Sequence, residues 1–238
     1  MAKQVMRYAS DGITLAESVY DEGAVHDGEC TTPRRDWWKN ASTEGEIFEG
    51  CQFEVEPIGE NDGGDYLQIA PDLPFSPPGQ CNAALHTGIA LEIGYYEYAV
   101  TFVTANGETP AGTRRSITTT SGNQKVDLSA IPVGPSGGTK RRIYRTAAGG
   151  GALKLVHEIV DNVTTTYLDE IPDASLGAAP PTLNTSGSPG TWTTDDITIG
   201  DLSSGAFVAC WTRYSIPAGA TQVGNPRRAK VTFRETGA

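Results

Sequence analysis

The sequence predicts an all-β protein: one discontinuous β-sandwich carrying a second β-sandwich in one of its loops. Three observations lead there. Residues 91–182 hold short segments of alternating apolar character separated by turn residues, which is the pattern of a sandwich. The stretches before and after that unit offer three or four strand-like pieces on one side and three on the other, each set too small to bury a core alone. Glycine (28) and proline (15) are abundant without a repeating period, which suits strands and turns better than a fibre, and 38% apolar residues supply material for sizeable cores.

Taken in order, residues 12–19, 36–40, 51–55 and 66–70 read as short extended pieces, without helical periodicity or helix caps. The central unit opens with a strand at 94–105, where aromatic and β-branched residues alternate, and turns at Asn106-Gly107. Further strands are predicted at 114–120, 124–128, 141–146, 153–159 and 164–168. They are separated by Ser121-Gly122-Asn123 and by the glycine- and proline-containing stretches 132–138 and 147–151. Beyond the unit, 196–200, 206–214 and 229–233 give three more strands. The economical arrangement joins residues 1–75 and 190–238 into a single split sandwich, with 76–90 and 183–189 as polar connectors to the inserted module at 91–182. The Pro/Gly-rich runs around those connectors, 71–88 and 177–190, can each reach about 30–45 Å when extended.

Within the central unit, five pieces occur together: Gly94-x-Tyr96-x-Tyr98-x-Val100, Gly107-Glu108-Thr109-x-x-Gly112, Ile131-Pro132-x-Gly134-Pro135, Arg141-Arg142-Ile143-Tyr144-Arg145-Thr146 and Asp161-Asn162-x-Thr164-Thr165-x-Tyr167-x-Asp169. In this order they resemble the fibronectin type III/Ig-like modules of bacteriophage virion proteins, over about two fifths of the chain. Such a module usually has its ends at opposite poles, so the connectors are expected to carry the chain back. A second resemblance lies at the C-terminus. Ile199-Gly200-Asp201-Leu202-x-x-Gly205, Trp211-x-Arg213 and Ile216-Pro217-Ala218-Gly219-Ala220 look like the closing half of a sandwich in phage tail and neck proteins. There an outward arginine leads into a proline turn, and Trp37-Trp38-Lys39-Asn40 would supply a partner strand. Fold does not fix function, so the resemblance says little about which part of a virion is involved.

Charge is placed unevenly. Residues 1–90 hold 16 acidic and 5 basic side chains, and residues 91–238 hold 13 of each. An acidic face repels a phosphate backbone, so nucleic acid is not expected as a partner of the first third. No segment has the length and apolarity of a membrane helix, and residues 1–6 lack the apolar core of a signal peptide, so folding in the host cytoplasm is expected. Cys30, Cys51, Cys81 and Cys210 are too widely spaced for a zinc cluster; cytosolic synthesis favours free thiols, with a Cys51–Cys210 cross-link as the alternative if their strands share a sandwich.

Chemistry finds no footing in these residues, and no catalytic, cofactor-binding or metal site is assigned. His26, His86 and His157 are scattered, and neither a nucleophile elbow nor a phosphate loop occurs. Paired carboxylates at Glu54/Glu56 or Asp195/Asp196 read as exposed strand residues rather than a glycosidase dyad, the second pair pointing to opposite faces if it is a strand. The stretch Glu60-Asn61-Asp62-Gly63-Gly64-Asp65 reads as an acidic turn rather than a calcium loop, because it lacks the later bidentate glutamate. Alternation splits Arg141, Arg142 and Arg145 between the two faces of their strand, with an intersubunit salt bridge as the functional alternative.

Two classes of function follow as expectations. The first is a non-enzymatic virion structural protein, a homo-oligomer arrayed with other virion proteins on a phage tail, neck or baseplate; its inserted module is a spacer or decoration, and capsid decoration is a variant of the same reading. The second is a carbohydrate-binding or adhesion module in which Trp37, Trp38, Tyr95, Tyr96 or Trp192 stacks on a host-surface glycan.

Overall fold

The computed structural model describes residues 5–8, 30–42, 45–57, 66–215 and 229–234. The expected strand at 12–19, the acidic stretch at 60–65, His26 and the proline turn at 216–220 lie outside them. The fold is all-β, and it divides into two compact units, residues 1–73 with 189–238 and residues 74–188.

In the first unit the N-terminal part supplies β1 (Val5–Tyr8), β2 (Arg34–Asn40), β3 (Phe48–Pro57) and β4 (Leu67–Leu73). The second unit contains β5 (Asn82–His86), β6 (Gly88–Ile89), β7 (Tyr95–Thr104), β8 (Gly107–Glu108), β9 (Arg115–Thr118), β10 (Asn123–Ser129), β11 (Gly138–Arg145), β12 (Lys154–Ile159) and β13 (Tyr167–Asp169). The chain then returns through β14 (Ser188–Pro189), β15 (Ile197–Leu202), β16 (Phe207–Tyr214) and β17 (Ala229–Arg234).

The two ends of the chain interleave in the first unit. β16 lies between β2 and β4, antiparallel to both, and β3 lies between β15 and β17. Removing the C-terminal part therefore takes the central strand of the first sheet and both partners of β3, and removing the N-terminal part takes β3 and both partners of β16. Inward positions follow the pleat: Trp38 on β2, Phe53 on β3, Leu67 and Ile69 on β4, and Cys210 and Tyr214 on β16 form one buried cluster. Trp38 and Phe53 meet across the sheets with ring centroids 4.6 Å apart. Where the chain re-enters, the Gly190 N–H donates to the Pro71 carbonyl at 2.9 Å.

The second unit is a sandwich of β13-β10-β5 against β12-β11-β7, with β8 and β9 sharing the far edge of β7. Residues of one parity on β7, Tyr96, Tyr98 and Val100, enter the core with Val126, Leu128, Ile131, Ile143 and Cys81. Burial of such side chains is worth about 1.5–3 kcal/mol each, the main favourable term here.

The connector between residues 76 and 90 is corrected by this structure. Prolines end at Pro78, and the Ala83/Leu85 alternation that follows forms β5, a full member of the module's sheet. At the other end, 176–188 is not a free tether either. Its backbone binds the module at Leu155 N–H to Ala178 O, 2.8 Å, at Gly177 N–H to Leu155 O, 2.8 Å, and at Thr185 N–H to Glu108 O, 3.0 Å.

Candidate interaction surfaces

The arginines of β11 are three of the eight basic side chains of the second unit. Arg141, in the middle of the strand, and Arg145, at its end, occupy inward positions with Ile143 between them, while Arg142 faces outward. Two buried guanidiniums in a sandwich are stable only if every donor finds an acceptor. Arg145 satisfies this: Nη1 donates to Asp169 Oδ2 at 2.5 Å, Nη2 to Asp173 Oδ1 at 2.7 Å and to the Ile171 carbonyl at 2.9 Å, and Nε to the Thr146 carbonyl at 3.2 Å. The Tyr98 hydroxyl donates to the same Asp169 oxygen at 2.7 Å. Burial, then the Asp169 charge, pushes that phenol far above its ordinary value. Arg145 is raised as well, because Asp169 and the groups beside it outweigh a desolvation that acts the other way.

Four residues earlier, Arg141 donates to the Pro132 carbonyl at 3.1 Å and to Asp161 Oδ1 at 3.0 Å. Asp161 also accepts from the Thr164 hydroxyl and from the backbone N–H groups of Val163 and Thr164. Those hydrogen bonds, Thr164 first, hold its carboxyl well below the usual carboxylate range. On the outer face Glu108 accepts from Thr101 at 2.5 Å, Tyr144 at 2.7 Å and Arg142 at 2.6 Å, and Arg142 continues to Glu158 at 2.8 Å. All three arginines are thus engaged within their own unit.

A second concentration of polar and aromatic groups lies on the outward positions of the β2-β16-β4 sheet. Asp72 Oδ2 accepts from Arg35 at 2.5 Å and Asp72 Oδ1 from the Trp211 indole N–H at 2.7 Å. The Arg35 guanidinium lies 4.3 Å from the Trp37 ring and 5.5 Å from the Trp211 ring, and Arg213 lies 4.2 Å from Trp192. Burial lowers the Arg35 pKa against the pull of Asp72. Arg213 lies at an outward position of β16, and β2 pairs with β16 through Trp37↔Ala209 and Trp38↔Val208.

Other sequence candidates disperse. Trp37, Trp38 and Tyr96 are buried, leaving Tyr95 and the partly exposed Trp192 as aromatics that a ligand can reach. His86 pairs with Asp127 at 2.8 Å, and His157 stacks on Tyr167 with centroids 4.4 Å apart. Glu54 accepts from Gln52. Asp195 and Asp196 precede β15 in a turn instead of lying on a strand. The four cysteines are free thiols, with Cys51 and Cys210 in separate clusters. Among the described residues, no group of three or more His, Cys, Asp or Glu side chains could hold a metal ion, and no helix is long and apolar enough to cross a membrane.

Sequence reasoning passed over Asp72, Glu108 and Asp169. Glu108 and Asp169 stood within quoted motifs, but a lone carboxylate carries no mark of the distant arginine it will meet. No protein-family model matches the chain, and no curated protein matches it.

Proposed function

We propose that the protein is a non-enzymatic structural component of a bacteriophage virion, a homo-oligomer on the tail, neck or baseplate, with residues 74–188 as a fibronectin type III-like module displayed by the split sandwich. The observation that carries this reading is how the module begins and ends. The Asn184 side chain donates to the Phe75 carbonyl at 2.7 Å, and the Phe75 N–H donates to the Ser186 hydroxyl at 3.0 Å, so entry and exit are tied side by side. A segment with clasped ends adds a self-contained domain to a host sandwich without opening the host's sheets, which is what a spacer or decoration requires. The carboxylates with depressed protonation, Glu97, Glu158 and Asp161, are each held so by partners inside the module, which supports a structural role for them.

Resemblance supplies the virion setting, and the uneven charge suits a surface component. Within the units themselves, 1–73 with 189–238 holds 20 acidic and 10 basic side chains, against 9 and 8 in 74–188. The test is native mass spectrometry of the purified chain, followed by copy counting in particles of the phage that encodes it. A closed homo-oligomer and a threefold, sixfold or twelvefold copy number support the reading; a monomer that is absent from particles sinks it. Of the five aromatics considered for glycan stacking, Tyr95 and Trp192 remain within reach of a ligand, and a glycan array scores that reading directly.

A further inference from the structure

The sandwich of the second unit has two lateral seams, and they are closed differently. Along the seam between β12 and β13, His157 and Tyr167 stack at an interplanar angle of 11°. Along the opposite seam, between β5 and β9, no ring pair closes the edge and no backbone ladder joins the strands. That seam is pinned at its two ends, by the Thr113 N–H to the Pro78 carbonyl at 3.2 Å and the Gln80 side chain to the Arg114 carbonyl at 2.5 Å at one, and by the Gly88 N–H to the Gly122 carbonyl at 2.9 Å at the other; between them no hydrogen bond crosses it among the described residues.

Just beyond the first pin stands Arg115. It lies opposite Tyr98 in the β9–β7 register, so it points to the inner side of its sheet, as Ile117 does opposite Tyr96. Its charge is felt by the buried thiol of Cys81 across the seam, opposing the upward shift that burial gives that group. Every other arginine of this unit has a carboxylate: Arg114 has Glu97, Arg141 has Asp161, Arg142 has Glu108 and Glu158, and Arg145 has Asp169 and Asp173. Arg115 has none, and its Nε is buried without an acceptor. A guanidinium in that state is unfavourable, and an acceptor brought to it relieves the cost. On β5, Leu85 is 40% exposed although it sits opposite buried Val126, and in the stretch between β5 and β7, Ile89 and Ile93 are 80% and 60% exposed. β5 and β9 each pair on one side only, so both present unpaired backbone groups here.

We propose that the β5–β9 seam is a docking site for an extended peptide segment of a partner protein, with a carboxylate seated on Arg115 and apolar side chains two and four positions along covering Leu85 and the residues beyond. Side chains two apart on a strand share a face, so one acidic residue followed by alternating apolar ones matches the order in which the seam offers its charge and its apolar surface. The inference goes beyond the virion reading and holds whichever assembly the chain belongs to.

The experiment titrates the full chain with a capped, fluorescein-labelled hexapeptide, Asp-Thr-Ile-Thr-Leu-Thr, by fluorescence anisotropy, alongside the same peptide with Asn first. Expected is saturable binding below about 1 mM that weakens about tenfold both for the Asn peptide and for Arg115→Gln, with no further loss when the two changes are combined. Arg115→Lys retains part of the affinity. The Asn-peptide comparison needs no protein variant, so it decides the matter even if Arg115→Gln fails to fold. No saturation up to about 1 mM, or equal binding of the Asp and Asn peptides, overturns the proposal.

Discussion

Replacing Asp169 by Ala tests whether the arginine network holds the second unit together. Asp169 and Arg145 are both fully buried, with Nη1 and Oδ2 2.5 Å apart. Without the carboxylate, Arg145 Nη1, the Tyr98 hydroxyl and the Ile171 N–H lose their acceptor. Removing one partner of a buried pair costs about 3–5 kcal/mol, and the retained contact from Arg145 Nη2 to Asp173 argues for the lower figure, about 3. With a urea m-value of about 1–3 kcal/mol per M, the midpoint of this unit falls by about 1–3 M. Two signals separate the units: Trp37, Trp38, Trp192 and Trp211, the four tryptophans, belong to the first, so tryptophan fluorescence follows that unit while far-UV circular dichroism follows both. The fluorescence transition should stay where it is as the dichroism transition moves. A loss below about 1 kcal/mol would refute the reasoning, since an exposed pair is worth that little. Combining Asp169→Leu, Arg145→Met and Tyr98→Phe should recover most of the loss, because no charge then remains at a fully buried position, while Asp173, at 18% exposure, keeps the Ala148 N–H.

Four further outcomes are expected. Asp161, Glu97 and Glu158 are depressed in the folded state, chiefly by hydrogen bonds from Thr164, Arg114 and Lys140 respectively, so their contribution is complete above the ordinary carboxylate range of about 4 and drains away as pH falls below it; Asp161→Asn should flatten that acid slope in urea midpoints measured from pH 5 to 2. Tyr96 is pushed up to about 12 by burial and then by Asp173, so its stabilisation is whole below an ordinary phenol's value of about 10 and is lost as pH rises through 12, which tyrosinate absorbance under native and denaturing conditions will show as a late-titrating class. At Gly107, with φ +153°, a Cβ would come within 2.4 Å of the Thr185 carbonyl oxygen, so Gly107→Ala should loosen residues 183–188 and speed limited proteolysis there. A fragment ending at residue 73 should stay unfolded, since β16 and the neighbours of β3 lie after residue 188, and co-expression with residues 189–238 should restore the tryptophan signal only if the interleaved sheets form.

Alternation and turn chemistry located many of the strands. The predicted piece at 94–105 is β7, 141–146 lies on the end of β11, and 206–214 is β16, because a pleated strand with one buried face must repeat every two residues. The same rule split Arg141 and Arg145 from Arg142. It also missed β5 and β6, where prolines at 74, 77 and 78 made the whole neighbourhood read as a connector.

What the sequence determined by itself is therefore local: an all-β chain, the places where it turns, and the parity of side chains along each strand. Tertiary structure alone decided which strands are neighbours and what the inward polar groups meet. β16 reaches its place between β2 and β4 from more than a hundred residues away, and Asp72 meets Arg35 and Trp211 only because those strands pair. Arg115 and Arg145 share the same residue type and the same inward parity, yet one is fully partnered and the other has no carboxylate. Periodicity is a property of one strand, whereas pairing depends on closing long loops and on the summed burial of both sheets, and no single segment carries that sum.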